Sequence, residues 1–313
     1  MLTMAVGVTY GGFSQSTAMP SAGEDRLRIV SWNLRNFPTR PWMSPRSGPH
    51  AGDPPHDLPR MASTFVALAA DVIVLQEVHD ADALHAVLPD AYAWAVSEGG
   101  GARGQHLVIA WRHSRLRPSG PIVEDQAIAL DGSLRPAVAL RLTPIAGPQA
   151  GAKPLLVIGV HLKARPSGSE IRREQWDHLA TFITRVRAPN DRVVLVGDFN
   201  VTGATSLRRD SNPALLERRA LSDRLARIGL AAIEVGPCTA YWQGVRHDAW
   251  LEPSRLDLAF AAGFEGTAPI ASVGTHCRKH ACAPFVSTAA YPDLSVEGLS
   301  DHCPVLMDVS MFE

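Results

Sequence analysis

The feature that most constrains this chain is a series of near-continuous apolar runs of strand length. "DVIVLQEV" (71–78), "PLLVIGVHL" (154–162) and "RVVLVGDF" (192–199) are rich in Val, Ile and Leu and are bounded by Gly, Pro or charge. Such runs read as β-strands. Their lack of polar alternation suits strands covered on both faces. Further strands are expected at "RLRIVSWNL" (26–34), "QHLVIAW" (105–111), "PAVALRL" (136–142), "RLDLAFA" (255–261) and "CPVLMDV" (303–309). Helices fall between some of them, at 59–70, 170–188 and 213–230. In the second, Trp176, Leu179, Phe182, Ile183 and Val186 keep helical spacing, and Arg172, Arg173, Glu174, Asp177 and Arg185 are expected mostly on the opposite, solvated side. Gly229 is the expected stop of the third. The stretch 38–60 is proline-rich and reads as a long functional or mobile loop. Many strands with few helices favour an α/β sandwich of two sheets over one doubly wound sheet. With no linker or repeat, residues 26–313 read as a single domain.

Charge narrows the partners. The formal net charge is -1, which gives no basis for tight non-specific binding to nucleic acid. A nuclease is still compatible, because a metal ion can supply positive charge where a phosphate docks. No apolar run approaches the roughly 18 residues that span a membrane. Residues 1–25 carry no Lys or Arg, so they are expected to be a disordered tail. The alternative is the remnant of a secretory signal whose start lies upstream, and localisation stays open between export and the cytoplasm. The four cysteines, Cys238, Cys277, Cys282 and Cys303, allow three complete pairings. A local Cys277–Cys282 bridge is expected if the chain is exported, with a zinc site using His276 and His280 as the rival. Cys303 reads as a buried free thiol.

Polar residues gather where the strands stop: Asn33 in "SWNL", Glu77 in "LQEV", His161 in "GVHLKA", Asp198 and Asn200 in "GDFN", Asp257 in "RLDLAF", and Asp301 with His302 in "LSDHCPV". Asp198 and Asn200, two apart, are expected on one face of the strand. The competing reading is a simple turn, since Asp and Asn bond their own backbone. Glu77, Asp198 and Asp301 are hard oxygen donors, and Asn33 and Asn200 add amide oxygens. That set suits Mg²⁺ or Mn²⁺ better than zinc. His161 and His302 exchange protons near neutral pH, and Asp257 could orient one of them. Together these groups form apparatus for water attack on a phosphate ester.

In this order, "SWN", "LQE", "HLKA", "GDFN", "RLD" and "SDH" resemble the endonuclease/exonuclease/phosphatase superfamily, the DNase I-like proteins, over about residues 26 to 310. The resemblance implies a four-layered α/β-sandwich with the site at one end of two packed sheets. It implies Glu77 as the main metal ligand, with Asn33 and Asp301 beside it. Asp198 and Asn200 would position water and bind phosphate oxygen. His302, paired with Asp257, would contact the phosphate and act as general base, and His161 would match a catalytic histidine. Arg135, in "SLRPAV", looks like an arginine that touches substrate phosphate. The implied activity is Mg²⁺-dependent phosphoester hydrolysis by a monomer, first of all on nucleic acid. The alternatives are a phosphoinositide, a sphingomyelin-type lipid or a small phosphodiester, and, outside enzymes, a binding module on the same fold. Trp42, Met43, Tyr241 and Trp242 are candidate aromatic contacts for a lipid or a base.

Overall fold

The computed structural model describes residues 26–39, 55–145, 153–203, 212–243, 250–264, 269–288 and 290–310. The expected tail at 1–25, and Trp42 and Met43, lie outside the described residues. Numbered along the chain, the strands are β1 (Arg26–Phe37), β2 (Val72–Val78), β3 (Tyr92–Val96), β4 (His106–Arg112), β5 (Leu116–Pro118), β6 (Val123–Asp125), β7 (Ala137–Pro144) and β8 (Leu155–His161). They continue as β9 (Arg192–Asp198), β10 (Ala231–Ile233), β11 (Ala240–Gln243), β12 (Trp250–Ser254), β13 (Asp257–Ala262), β14 (Ile270–Val273), β15 (Phe285–Val286) and β16 (Val305–Ser310). The helices are α1 (Leu58–Leu68), α2 (Ser169–Val186), α3 (Pro213–Ala226), α4 (Thr275–Lys279) and α5 (Leu294–Glu297).

Two mixed sheets form the centre. One runs β14-β16-β1-β2-β4-β3, the other β10-β13-β9-β8-β7-β5, with β6 also on β7. Each holds one parallel pair, β1 with β2 and β8 with β9, and its other pairings are antiparallel. A parallel pair needs a crossover, and α1 and α2 lie in those two connections.

Strand alternation sorts the apolar runs into three layers of contact. Leu27, Ile29, Val72 and Val74 face Val157, Val194 and Val196 between the sheets. Val30, Trp32, Ile73 and Leu75 turn outward onto Met61 and Phe65 of α1. Leu156, Ile158 and Leu195 turn outward onto Trp176, Leu179 and Phe182 of α2 and onto Leu221 and Leu225 of α3. The result is the four-layered α/β-sandwich. The central strands are covered on both faces, which is why their runs are continuously apolar.

Two expectations fail here. Arg172 is fully buried, not on the solvated side of α2. It lies 4, 7 and 11 residues before Trp176, Leu179 and Ile183, on the apolar stripe itself. The cysteines pair as Cys238–Cys282 and Cys277–Cys303, with Cα atoms 5.7 and 6.1 Å apart. Neither the local Cys277–Cys282 bridge nor the free Cys303 exists. On α4, Cys277 packs inward on the segment before β16, whereas Cys282, at φ 57° beyond the helix, turns toward the start of β11. The same bonding removes the zinc alternative, since every cysteine sulfur is in a bridge. His276 Nε2 approaches the Asp301 carbonyl and His280 Nε2 contacts Asp293, so the two histidines are also separated.

Candidate active site

The site forms where the two parallel pairs end. The C-terminal edge of such a pair exposes backbone groups and side chains beyond the last ladder bond, and α/β sheets bind ligands there. Asn33 is paired in register with Gln76, one residue before Glu77. His161 is paired directly with Asp198, and Asp198 in turn with Asp257 of the antiparallel β13. Sheet register alone thus sets His161, Asp198 and Asp257 side by side.

Local backbone finishes the placement. Gly197 has φ 144°, and a Cβ there would lie 2.1 Å from the Val160 carbonyl oxygen. Only glycine fits that approach, which explains the "VGD" spelling. β9 stops at Asp198, and Asn200 adopts φ 51°. The expected alternation of Asp198 and Asn200 on one strand is therefore corrected: Asn200 lies in a turn past the strand. Its N–H donates to Asp198 Oδ1 at 2.9 Å, and its Nδ2 to the Leu162 carbonyl at 3.2 Å. Asp198 forms the turn with one oxygen and keeps the other for the site.

That other oxygen is where the site converges. Asn33 Nδ2 lies 3.1 Å from Asp198 Oδ2, His161 Nε2 3.5 Å and His302 Nε2 3.8 Å. On its far side, His302 Nδ1 meets Asp257 Oδ2 at 2.8 Å. Ser300 fixes the approach of His302: its hydroxyl donates to the Asn33 carbonyl at 2.7 Å and accepts the His302 N–H at 3.1 Å. Thr239 Oγ1 accepts the Asp257 N–H.

Glu77 occupies the opposite wall at φ 61°. One oxygen receives Asn33 Nδ2 at 3.2 Å and lies 3.6 Å from His161 Nε2, and the other receives the Asn36 N–H at 3.0 Å. Asp301 stands beside it, partly exposed, with Arg35 Nε 3.9 Å away. Asn33 is thus a bracket whose amide nitrogen joins Glu77 to Asp198, while its oxygen accepts the Arg35 N–H. Arg135 is buried; one guanidinium nitrogen donates to the Leu162 carbonyl at 2.7 Å, and its Nε has no hydrogen-bond partner.

Electrostatics divides these groups. Burial pushes the Asp198 carboxyl up to about 7, against the charge of His302. Burial, and then the charge of Asp301, raises Glu77. Burial alone would lower His302, but the carboxylates of Asp257 and Asp198 outweigh it and hold the imidazole well above its usual range. His161 goes the other way, pushed well below by burial and by the cation of Arg135. A buried Glu77 carboxyl raised further by the charge of Asp301, beside hard oxygen donors, fits a divalent cation. Glu77 and Asp301 are the residues that would hold it. The orphaned Nε of Arg135 fits an anion.

Sequence reasoning missed the frame behind the site. Arg172 donates to the carbonyls of Lys163 and Arg165 after β8, at 2.8 and 2.7 Å, and to Thr202 Oγ1 and the Gly203 carbonyl after β9, at 3.2 and 3.3 Å. Glu217 of α3 closes the clamp, pairing with Arg172 at 2.7 Å and accepting the Gly203 N–H. Arg172's place on the apolar stripe was the available signal. Of the aromatic candidates, Tyr241 is buried with its hydroxyl on the Ala283 carbonyl, and Trp242 is half-exposed.

Solved structures share this architecture. D. rerio TDP2 complexed with single strand DNA product superposes with a TM-score of 0.59 at 16% identity, covering 91% of this chain and 99% of that one. The human Nocturnin catalytic domain with bound sulfate anion gives 0.57 at 14% identity, covering 92% and 95%. ANGEL2, a 2′,3′-cyclic phosphatase, gives 0.56 at 14%, covering 91% and 96%. At these identities the likeness is one of fold. No curated protein is similar enough in sequence to count as a relative. The Endonuclease/Exonuclease/phosphatase family model matches residues 30–302, a span that takes in Asn33, Glu77, Arg135, His161, Asp198, Asn200, Asp257, Asp301 and His302, and the chain belongs to that family.

Proposed function

We propose that this chain is a monomeric, Mg²⁺- or Mn²⁺-dependent phosphoesterase that cleaves P–O bonds by direct water attack, with nucleic acid as its substrate. The observation that carries the reading is the convergence of Asn33, His161 and His302 on Asp198 Oδ2, with Glu77 held against the same bracket. Glu77 and Asp301 would hold the cation, which supplies Lewis-acid charge to a phosphoryl oxygen when bound.

The chain's own residues account for the rest. His302 sits between two carboxylates, so each ring nitrogen has an acceptor for a proton. This favours His302 as a donor to phosphate oxygen through Nε2, with Asp257 holding Nδ1–H. It also moves the acceptor role to Asp198, whose buried carboxyl near neutral pH suits a base for the water proton. Asn200 and Arg135, both anchored on the Leu162 carbonyl, would orient the phosphate.

One observation favours a lipid phosphate ester as the second reading. Trp242, Trp250 and Val286 occupy register positions on one face of the β11-β12-β15 sheet, each about half exposed. That sheet is tied to the site through the Ala240–His302 bridge and the Tyr241 N–H on the Asp301 carbonyl. The two disulfides support work in an oxidising compartment.

The test is an assay with EDTA, Mg²⁺ and Mn²⁺ against plasmid DNA, RNA, an abasic-site duplex, phosphoinositide vesicles and sphingomyelin vesicles. Hydrolysis should vanish in EDTA and return with either ion. Full activity after exhaustive chelation would sink the mechanism, and turnover of vesicles alone would replace the first substrate with the second.

A further inference from the structure

The turn Gly101–Arg103 lies in the connection between β3 and β4. It is held on both sides. The Ala102 N–H donates to the Ser133 carbonyl at 3.1 Å, and a Cβ on Gly101, at φ 63°, would lie 2.8 Å from the Leu134 backbone. This packs the turn onto the segment that carries Arg135. Across the turn, Gln105 Nε2 donates to Asn36 Oδ1 at 2.8 Å, and the Asn36 N–H holds Glu77. Glu124 accepts the N–H groups of Glu98 and Gly99 at the base of the loop.

Arg103 is therefore carried on a pinned loop between Arg135 and the Glu77 wall. Its side chain is exposed, and among the described residues it has no ion pair. Burial is the first cause that lowers both His161 and Arg135, and the positive charge of Arg103 adds to it at each, opposed at Arg135 by Glu77 and Asp198. Two arginines brought into each other's field without a shared counter-ion repel, unless an anion joins them. The chain is not generally basic, at a net charge of -1, so this pair is a local concentration.

We propose that Arg103 is a specificity-determining residue that binds a second phosphate of the substrate, next to the one engaged by Arg135. The inference rests on the phosphoesterase reading and deepens it: the preferred ester carries a neighbouring phosphate, as a polynucleotide or an inositol polyphosphate headgroup does. A guanidinium is suited to this, because it takes a phosphate through paired hydrogen bonds and keeps its charge at any working pH.

Calorimetry of the full chain in Mg²⁺ buffer tests it, with a nucleoside monophosphate, a nucleoside bisphosphate and an inositol bisphosphate as probes. The wild type should bind one bisphosphate at least about tenfold tighter than the monophosphate, and which one it prefers names the source of the second phosphate. R103A should reduce that preference to about twofold or less, and R103K should keep most of it. Raising salt should shrink the wild-type preference. A wild type without preference, or an R103A variant that keeps it in full, would overturn the assignment. Bisphosphate binding that depends on Arg103 in a protein that hydrolyses no ester would sink the phosphoesterase reading and leave this inference standing.

Discussion

The two parallel units, β1-α1-β2 and β8-α2-β9, have the same topology and end in different ways. In the second unit register holds to the last residue, His161 against Asp198, and both side chains are almost fully buried. In the first unit register shifts between Asn33 and Phe37, and Arg35, Asn36 and Glu77 take positive φ. Glu77 keeps a side-chain exposure of 17%, and its neighbour Asp301 one of 36%. The regular end gives a dry pocket in which protonation states are set by burial. The irregular end gives accessible oxygens, which a hydrated cation needs. Non-glycine residues at positive φ cost of order 1 kcal/mol or more each and persist where surrounding contacts enforce them. Here the Asn36 N–H on Glu77 and the Asn33 oxygen on the Arg35 N–H do the enforcing. One repeated β-α-β frame thus supports two environments, one buried and one more accessible, which under the proposed function would serve proton transfer and an ion.

The largest expected effect lies in the regular unit. Asp198→Asn is nearly isosteric but removes the charge at the point of convergence. It should lower kcat by about 10³-fold or more with thermal stability changed by no more than about 1 kcal/mol. Near-normal turnover in that variant would reduce Asp198 to a turn former. His302→Ala and His161→Ala should each cost roughly 10²-fold or more in kcat. A loss below about threefold in either would remove that histidine from the reaction.

Glu77→Gln probes the irregular unit and separates the two. Its loss should be restored in part by excess Mg²⁺, with the half-saturating concentration raised about 10- to 100-fold. Asp198→Asn should show no such rescue. If both variants, or neither, respond to added Mg²⁺, the division between an ion end and a proton-transfer end is wrong. The smallest effect is expected from Arg172→Lys. Lysine keeps the charge but cannot span Lys163, Arg165, Thr202 and Gly203 at once. Small shifts of the two loops should lower kcat about tenfold with KM within about twofold. An unchanged kcat would make the clamp a matter of stability alone.

Much of this molecule was legible in the chain. The longer strands were found because continuous Val, Ile and Leu runs have few other uses at that length, and the fold followed from their number. The two- to five-residue strands, β3, β5, β6, β10, β11, β12, β14 and β15, were not found, because so short a segment carries no period to read. The candidate site residues were legible as polar endings to apolar strands, and the fold brings them together. Their roles were less so: we propose Asp198 and not His302 as the acceptor because of what lies on each side of the ring.

By itself, the sequence determined the local terms: which segments bury both faces, where they stop, and which hard donors and histidines stand at the stops. Tertiary structure decided every relation between distant stops. Asn33 and Asp198 are 165 residues apart, and Asp257 and His302 are 45 apart, yet both pairs meet at hydrogen-bond distance. The cysteine pairing was of the same kind. The nearest partner along the chain was the wrong one, because side-chain direction at a helix end, not sequence spacing, selects which sulfurs meet. Arg172 looked solvent-bound by its charge, and burial became tolerable only when two loops and Glu217 gathered around it to satisfy its donors. Periodicity and composition report what each segment needs, and only the packed chain shows which distant group meets that need.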